Sequence, residues 1–395
     1  MRKVAVIGAG MTKFSAAQEK TAVELFAEAA MDAMNEANVK PKDIQCLCLG
    51  QVLADFSEGQ CTTQGFCADS LGLPNVPATR YEGCCASASV AIRDAAVWVG
   101  AGIYDIILAG GTETAAKMGT PLATRTFAMG SDAHYEYPAG VTFPGVFAML
   151  ANLYCVKYGV PVEKVIDAMA AIAVKAHHLG NLNPHGQLHK EITPDMVKNA
   201  FVVAHPLTLY NCCPFSDGGA AVVVVSEEIA KKLSDKPMWI LGSGQGSGGT
   251  IGSQKKYLPH IAAREFSAKE AYSMAGVSPK DICVAEVHDC FSIAEIILQE
   301  QLGFFEKGKS CDAVLKGETT VGGKIPLNPS GGLKSKGHPI GATGAAQAYE
   351  IYDQFKGNCG PRQVEPATKK GALGLTDTLG GNGGAVVNII YQKGW

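Results

Sequence analysis

The chain has 395 residues, 47% of them hydrophobic and 18% charged, which is enough to fill a large buried core in two or three units of ordinary domain size. A net charge of −3 with no long basic run excludes nucleic acid or an anionic membrane surface as the partner around which the chain is built. Apolar runs such as "AAVVVVS", ending at Ser226, fall far short of the roughly 18 residues that span a bilayer. In chain order, "MRKVAVIGAGMTKF" opens with two basic residues, but its apolar run soon meets glycine. It predicts a buried first strand rather than a secretory leader. Thirteen cysteines without C-x-x-C spacing predict a reducing, cytoplasmic setting in which most thiols are small buried hydrophobes. They also argue against a zinc ribbon or thioredoxin-type site within the chain.

"TAVELFAEAAMDAMNEA" (21–37) places apolar residues at helical spacing, and "IQCLCLGQV" after it reads as a strand. "SVAIRDAAVWVGAG" (89–102) predicts a helix ending at glycine, followed by the buried strand "DIILAGGTET" (105–114). This alternation predicts a parallel sheet with helices on its faces, an α/β fold. From about 115 to 210 the pattern weakens into Pro, Gly, His and Asn, with a helix near 161–178. We read this span as an inserted loop lobe shaping the substrate site. Its histidines 177, 178, 185 and 189 fall in a polar stretch that reads as surface loop, too loose a frame for a metal. The strand "GGAAVVVVS" (218–226) closes the first half.

Beyond residue 235 the chain repeats itself. "VAVIGAG" (4–10) matches "WILGSG" (239–244), with Gly8 and Gly10 answering to Gly242 and Gly244 at an offset of 234. "ANVKPKDIQCL" (37–47) matches "AGVSPKDICVA" (275–285) at an offset of 238. Two ordered matches at nearly one offset predict a duplicated α/β unit, with halves at 1–235 and 236–395. A dinucleotide site at "GAG" is disfavoured because the third glycine is missing, so these glycines read as tight turns after strands.

Reactive residues collect in four places. Cys84-Cys85-Ala86-Ser87 opens a helix, where the dipole and free N–H groups favour thiolate and predict a lowered thiol pKa. His288-Asp289-Cys290 follows a strand, where α/β enzymes display reactive groups. His338 sits on the constrained turn before Pro339, in a glycine-rich segment. "LGGNGGAVVNIIY" (379–391) offers backbone N–H groups to an oxyanion. A cysteine nucleophile, histidines to activate it and backbone donors together suit thioester chemistry through an acyl-cysteine.

The ordered set "EGCCAS", "VHDCF", "GHPIGATG" and "GGNGGA", with "PLTLYNCCPFSDGGAAVVV" at 206–224, resembles the thiolase superfamily over almost the whole chain. The likeness is to the branch of sterol-carrier-protein-type and archaeal acetoacetyl-CoA thiolases. It implies a duplicated five-layered αβαβα fold. It also implies cleavage of a 3-ketoacyl-CoA by CoA or the reverse Claisen condensation, with no cofactor and CoA as a substrate. By resemblance the nucleophile is Cys85, the cysteine before Ala-Ser, and Cys84 is a packing residue. His338 is the base that takes its proton, and His288 helps hold the enolate oxygen. Where most thiolases carry a second cysteine in a C-terminal Cys-x-Gly motif, this chain has Gly381-Asn382-Gly383. The sterol-carrier-type pattern moves the acid/base to Cys290, leaving the amides of Gly383 and Cys85 as oxyanion donors.

A ketoacyl synthase-like condensing enzyme is the nearest rival; Cys290 beside His288 favours thiolase. A non-catalytic scaffold binding acyl-CoA, or a cysteine hydrolase, would not need all four reactive positions filled. The resemblance further implies a homodimer or dimer of dimers. It suggests a small zinc-ribbon and OB-fold partner completing the CoA site, since the stretch 176–190 offers Lys190 as its one cation. Acetoacetyl-CoA is the modest substrate expectation. The aromatic and Met content of 127–158 suggests an alternative pocket for a longer or aryl acyl group, although such stripes are commonly core.

Overall fold

The computed structural model describes residues 2–73 and 75–395. The first half runs β1 (Val4–Met11), α1 (Ala22–Glu36), β2 (Cys46–Gly50), β3 (Ala78–Tyr81), α2 (Ser87–Ala101) and β4 (Ile106–Thr114). Two long lobe helices follow, α3 (Phe143–Tyr158) and α4 (Val162–Asn181), and then β5 (Asp217–Ser226). The second half comprises β6 (Met238–Gly246), α5 (Ala262–Ala275), β7 (Ile282–Glu286), α6 (Ser292–Gln301), α7 (Thr343–Lys356), β8 (Leu373–Gly380) and β9 (Ala385–Lys393).

The nine strands form one sheet, ordered β3-β2-β4-β5-β1-β6-β9-β8-β7. Outward from the centre, β1-β5-β4-β2 is answered by β6-β9-β8-β7, so the sequence repeat becomes a pseudo-two-fold about the β1–β6 seam. The seam is short: Val4 lies opposite Ile240, Ala5 opposite Trp239 and Val6 opposite Met238. Helices α2 and α7 pack on each other between the two halves of the sheet, while α1 and α5 cover the outer faces. This is a layered α/β arrangement built twice.

The expectation of a parallel sheet is corrected. Only β2–β3, β2–β4 and β7–β8 are parallel; the other five pairings are antiparallel. The closing strand of each half causes this, because β9 returns from β8 through a tight hairpin that can only pair antiparallel.

The matching glycines have a packing cause rather than a turn cause. All four lie inside strands, under the first long helix of their half. A Cβ at Gly8 would stand 2.2 Å from the Ala33 carbonyl oxygen, and one at Gly242 would stand 2.4 Å from that of Ala271. Glycine lets helix and strand approach this closely. The shared Pro-Lys-Asp forms the same 3₁₀ turn twice, with Asp43 accepting from the Lys40 amide and Asp281 from the Ser278 amide. Helix α1 itself starts at a reciprocal cap between Thr21 and Glu24 and buries Leu25, Phe26, Ala29 and Ala33.

The lobe between β4 and β5 is more helical than its composition suggests. Helix α3 starts at Thr142, whose hydroxyl accepts from the Gly145 amide, and it buries Val146, Phe147, Leu150 and Tyr154. Helix α4 continues to Asn181, so His177 and His178 are helical and not in a surface loop. His177 is buried with Nδ1 on the Lys190 carbonyl, whereas exposed His178 faces Glu191. Among the described residues one helical stretch, Cys84–Ala101, is long and apolar enough by composition to cross a membrane. Here it is an interior element, packed on β2, β4, β5 and α7.

Candidate active site

Cys84, Cys85 and Ala86 form a 3₁₀ turn that leads directly into α2. Its geometry is held from both sides. The Cys84 amide donates to Glu82 Oε1 at 2.7 Å, and the Ser87 hydroxyl accepts from the Gly83 amide at 3.0 Å while donating to the Cys84 carbonyl at 2.6 Å. Cys84 adopts φ +50, unusual for a residue with a side chain. This kink sends the two sulfurs apart. Cys84 lies beside Gly130 and Gly381, while Cys85 faces the histidines.

Cys85, His288 and His338 bring one ligating-type atom each to within 4.8 Å of one another, and all three are buried. The histidine rings meet edge to face, with centroids 5.0 Å apart and planes at 78°. His338 is fixed at three points. Its amide donates to Ser216 Oγ at 2.8 Å, Nδ1 stands 2.7 Å from Thr343 Oγ1, and that hydroxyl donates to the Pro339 carbonyl at 3.0 Å. Since the Thr343 proton goes to Pro339, Nδ1 must carry a hydrogen and donate, which leaves Nε2 as a free lone pair. His288 is placed through its main chain: its amide donates to Asp377, which is clamped by Arg264 and Asn388. Its own Nδ1 is buried without a partner.

Burial sets the protonation of the site. It drives the His338 pKa down to about 3, with Lys336 adding to the drop and Asp289 opposing it. It takes His288 well below its usual value, helped by His338 and Arg264. It lifts the Cys290 thiol to about 12, with the Asp289 carboxylate adding, and raises Cys85 well above the ordinary thiol range. The lowered thiol pKa expected from the helix start is therefore corrected. The amide of Gly381 does pull Cys85 downward, but desolvation outweighs it. The resting pair is a neutral thiol beside a neutral imidazole.

These groups share a cavity of about 100 Å³ with Cys290 and Cys213. Its far wall is aromatic: Phe127, Phe143, Phe147, Phe215 and Phe291. Phe127 meets Phe215 edge on at 5.1 Å, and Phe147 stacks on Phe291 at 4.6 Å. Part of the 127–158 aromatic stripe thus lines the cavity instead of only filling core.

All four reactive residues singled out in the sequence, Cys85, His288, Cys290 and His338, line this one cavity. Gly383 does not. Its amide donates to the Gly380 carbonyl at 3.1 Å, closing the β8–β9 turn, and Gly381 reaches the cavity in its place. Sequence reasoning missed Cys213, Thr343 and Ser216. Cys213 had a visible signal in the second Cys-Cys doublet; its amide donates to the Cys290 carbonyl at 2.9 Å.

The "Thiolase, N-terminal domain" family model matches residues 4–228, and "Thiolase C-terminal domain-like" matches 244–393. This chain belongs to the thiolase family. As a thiolase it is an acyltransferase. It is 38% identical to an acetyl-CoA acetyltransferase of Methanothermobacter thermautotrophicus over 393 residues, covering 100% of both chains. It is 34% identical to human sterol carrier protein 2, covering 100% of this thiolase and 73% of that protein. To the benzoylsuccinyl-CoA thiolase subunit BbsB of Thauera aromatica it is also 34% identical, over 96% of this chain and 95% of that one. Among solved structures, "Ltp2-ChsH2(DUF35) aldolase" superposes with a TM-score of 0.82 at 24% identity, over 99% of this chain and 98% of that one, which speaks to the fold.

Proposed function

We propose that this thiolase cleaves 3-ketoacyl-CoA thioesters with an apolar acyl group, or forms them by the reverse Claisen condensation, through an acyl-cysteine on Cys85. The observation carrying this reading is the convergence of Cys85, His288 and His338 within 4.8 Å, with Cys290 on the same cavity wall.

In the cleaving direction Cys85 Sγ attacks the 3-keto carbon while Nε2 of His338 takes its proton. A resting thiol–imidazole pair that is neutral on both sides means that proton transfer accompanies the attack. The Cα–Cβ bond then breaks and its electron pair goes to the departing enolate. The enolate oxygen is held by His288, and its carbon is protonated by the Cys290 thiol. A CoA thiol, giving its proton to the Cys290 thiolate, next takes the acyl group from Cys85, and His338 returns its proton to the Cys85 sulfur. The Cys85 and Gly381 amides are the oxyanion donors in this scheme; one such donor is worth about 2.7–4 kcal/mol of barrier.

Every step uses residues of the chain plus CoA, with no metal or redox cofactor. The five phenylalanines favour a bulky apolar or aryl acyl group over acetoacetyl. An apolar cavity of about 150 Å³ admits benzene, and the 100 Å³ here approaches that size.

The expected assembly is a homodimer or dimer of dimers in the cytoplasm, and thirteen free thiols fit a reducing setting. A small partner protein completing the CoA site is part of the reading, supported by the DUF35 component named in the similar solved structure. Peptide mass spectrometry after brief mixing with a panel of acyl- and 3-ketoacyl-CoAs, CoA withheld, tests the proposal. An acyl adduct on Cys85 is expected. An adduct elsewhere, or none with and without a partner protein, rejects it.

A further inference from the structure

The two segments that bring His288, Cys290 and His338 to the cavity are joined to each other by buried charge. Segment 286–290 carries Glu286 and Asp289, segment 330–338 carries Lys334 and Lys336, and all four side chains are buried. Lys334 Nζ lies 2.5 Å from Asp289 Oδ2 and donates at 3.2 Å to the Asp289 main-chain carbonyl. The other carboxylate oxygen accepts from the Leu333 amide at 2.8 Å. Lys336 pairs with Glu286 at 3.2 Å, and Glu286 also takes the Ser330 hydroxyl at 2.6 Å. Behind Lys334, Glu295 stands 4.0 Å away and pairs with Lys175 at 2.5 Å.

Stability alone is a poor reason for such an arrangement. Lysine is rarely fully buried, and well-packed apolar residues often replace buried ion pairs without loss. Specific orientation is the better reason, and the contacts say of what. Lys334 holds both the carboxylate of Asp289 and the carbonyl of the Asp289–Cys290 peptide, so it fixes the plane from which the Cys290 side chain departs. His338 has independent anchors in Ser216 and Thr343.

We propose that Lys334 is a positioning residue for Cys290, holding its thiol against the α-carbon of the thioester by gripping Asp289 at side chain and main chain. The inference rests on the thiolase reading above and adds to it a residue outside the cavity lining.

The test separates two half-reactions on the full-length protein. Transfer of an acetyl group from acetyl-CoA to Cys85 needs Cys85 and His338; exchange of the acetyl-CoA α-protons into D₂O needs Cys290. In Lys334→Met, acetyl capture on Cys85 is expected to stay close to wild type, while α-proton exchange falls about 100-fold, the scale of one lost general acid–base contribution. Equal losses in both, or exchange at the wild-type rate, would overturn the proposal. Should Lys334→Met fail to fold, the isosteric Asp289→Asn, in which Lys334 keeps Glu295 as a carboxylate neighbour, is judged by the same split. A wild-type protein that takes no acyl group on Cys85, from acetyl-CoA or from longer and aryl acyl-CoAs and with or without a partner protein, rejects the thiolase reading itself, whereas normal capture with unsplit variants rejects only the role of Lys334.

Discussion

Nδ1 of His338 lies 2.7 Å from the Thr343 hydroxyl, whose own proton goes to the Pro339 carbonyl at 3.0 Å. This two-bond chain selects one imidazole tautomer without any charged group, and its threonine is the first residue of α7, a rigid support.

Removing it should cost rate rather than binding. In Thr343→Val, kcat is expected to drop about tenfold, near 1.4 kcal/mol for one lost orienting hydrogen bond, with KM little changed. Thr343→Ser should keep most of the activity. Steady-state kinetics of both variants decide it; a large rise in KM for Thr343→Val would point to a substrate contact instead.

The neutral resting pair makes a statement about pH. With His338 titrating near 3, its base form is present throughout pH 5–8, so single-turnover acylation of Cys85 should be flat across that range. Alkylation by iodoacetamide reads the other partner. Because burial raises the Cys85 thiol well above its ordinary range, the alkylation rate should still climb at pH 9. A plateau below pH 8 would show a thiolate ion pair at rest.

Stability should respond to acid through the same histidine. Its folded pKa lies below its unfolded one, so the unfolded chain binds the extra proton, and stability rises with pH up to about 6.5. Going from pH 7 to pH 5 should remove about 2 kcal/mol through His338 alone. His288 shifts in the same direction and adds to this. Denaturant midpoints at the two pH values measure the difference, and equal midpoints would contradict a buried neutral His338.

The cysteine doublet should divide sharply. Cys85→Ser is expected to lower turnover by at least about a thousandfold, since an alcohol is a far weaker nucleophile at this pKa. Cys84→Ala, altering a sulfur that faces Gly130, should change it by no more than about threefold. Intact-protein mass after acyl-CoA treatment reports both.

The aromatic wall predicts a substrate trend. Each added methylene of an apolar acyl chain should raise kcat/KM about fourfold, from roughly 0.8 kcal/mol of burial, until the cavity is full. Phe143→Trp should end that rise at a shorter chain while sparing the shortest substrate. A series of 3-ketoacyl-CoAs measured against both proteins shows whether the breakpoint moves.

How much of this was legible in the sequence depends on the range of the interaction concerned. Local patterns carried well: the helical spacing over 21–37, the repeated Pro-Lys-Asp-Ile match and the motifs around Cys85, Cys290 and His338 are each set within a few residues. Strand direction was not legible, because the pairing of β5 with both β4 and β1 is settled by partners far apart in the chain. The thiol pKa was misread for a related reason. A helix start is visible locally, but the desolvation that overrides it comes from burial in a cavity whose walls, among them Phe127, Phe215 and Phe291, are far apart in the chain. Gly383 was displaced from the site by a single turn hydrogen bond to Gly380, a matter of two residues that no spacing rule resolves. Thr343 and Lys334 lay in plain view within the glycine-rich segment, yet neither a threonine at a helix start nor a lysine in a four-residue helix announces what it touches.

The β1–β6 seam has a consequence for how this molecule tolerates change. Cys85 is carried by one half of the duplication and His288, Cys290 and His338 by the other. The halves share a sheet edge of only three facing pairs. A one-residue slip along that edge would move one half by about 3.4 Å against the other, more than a hydrogen bond's length. The reacting atoms would then miss one another, and the core that α2 and α7 share across the seam would have to shift with them. The seam is therefore the gauge against which the chemistry is set, and Val4, Ala5, Val6, Met238, Trp239 and Ile240, which face one another along it, keep Cys85 in register with its partners.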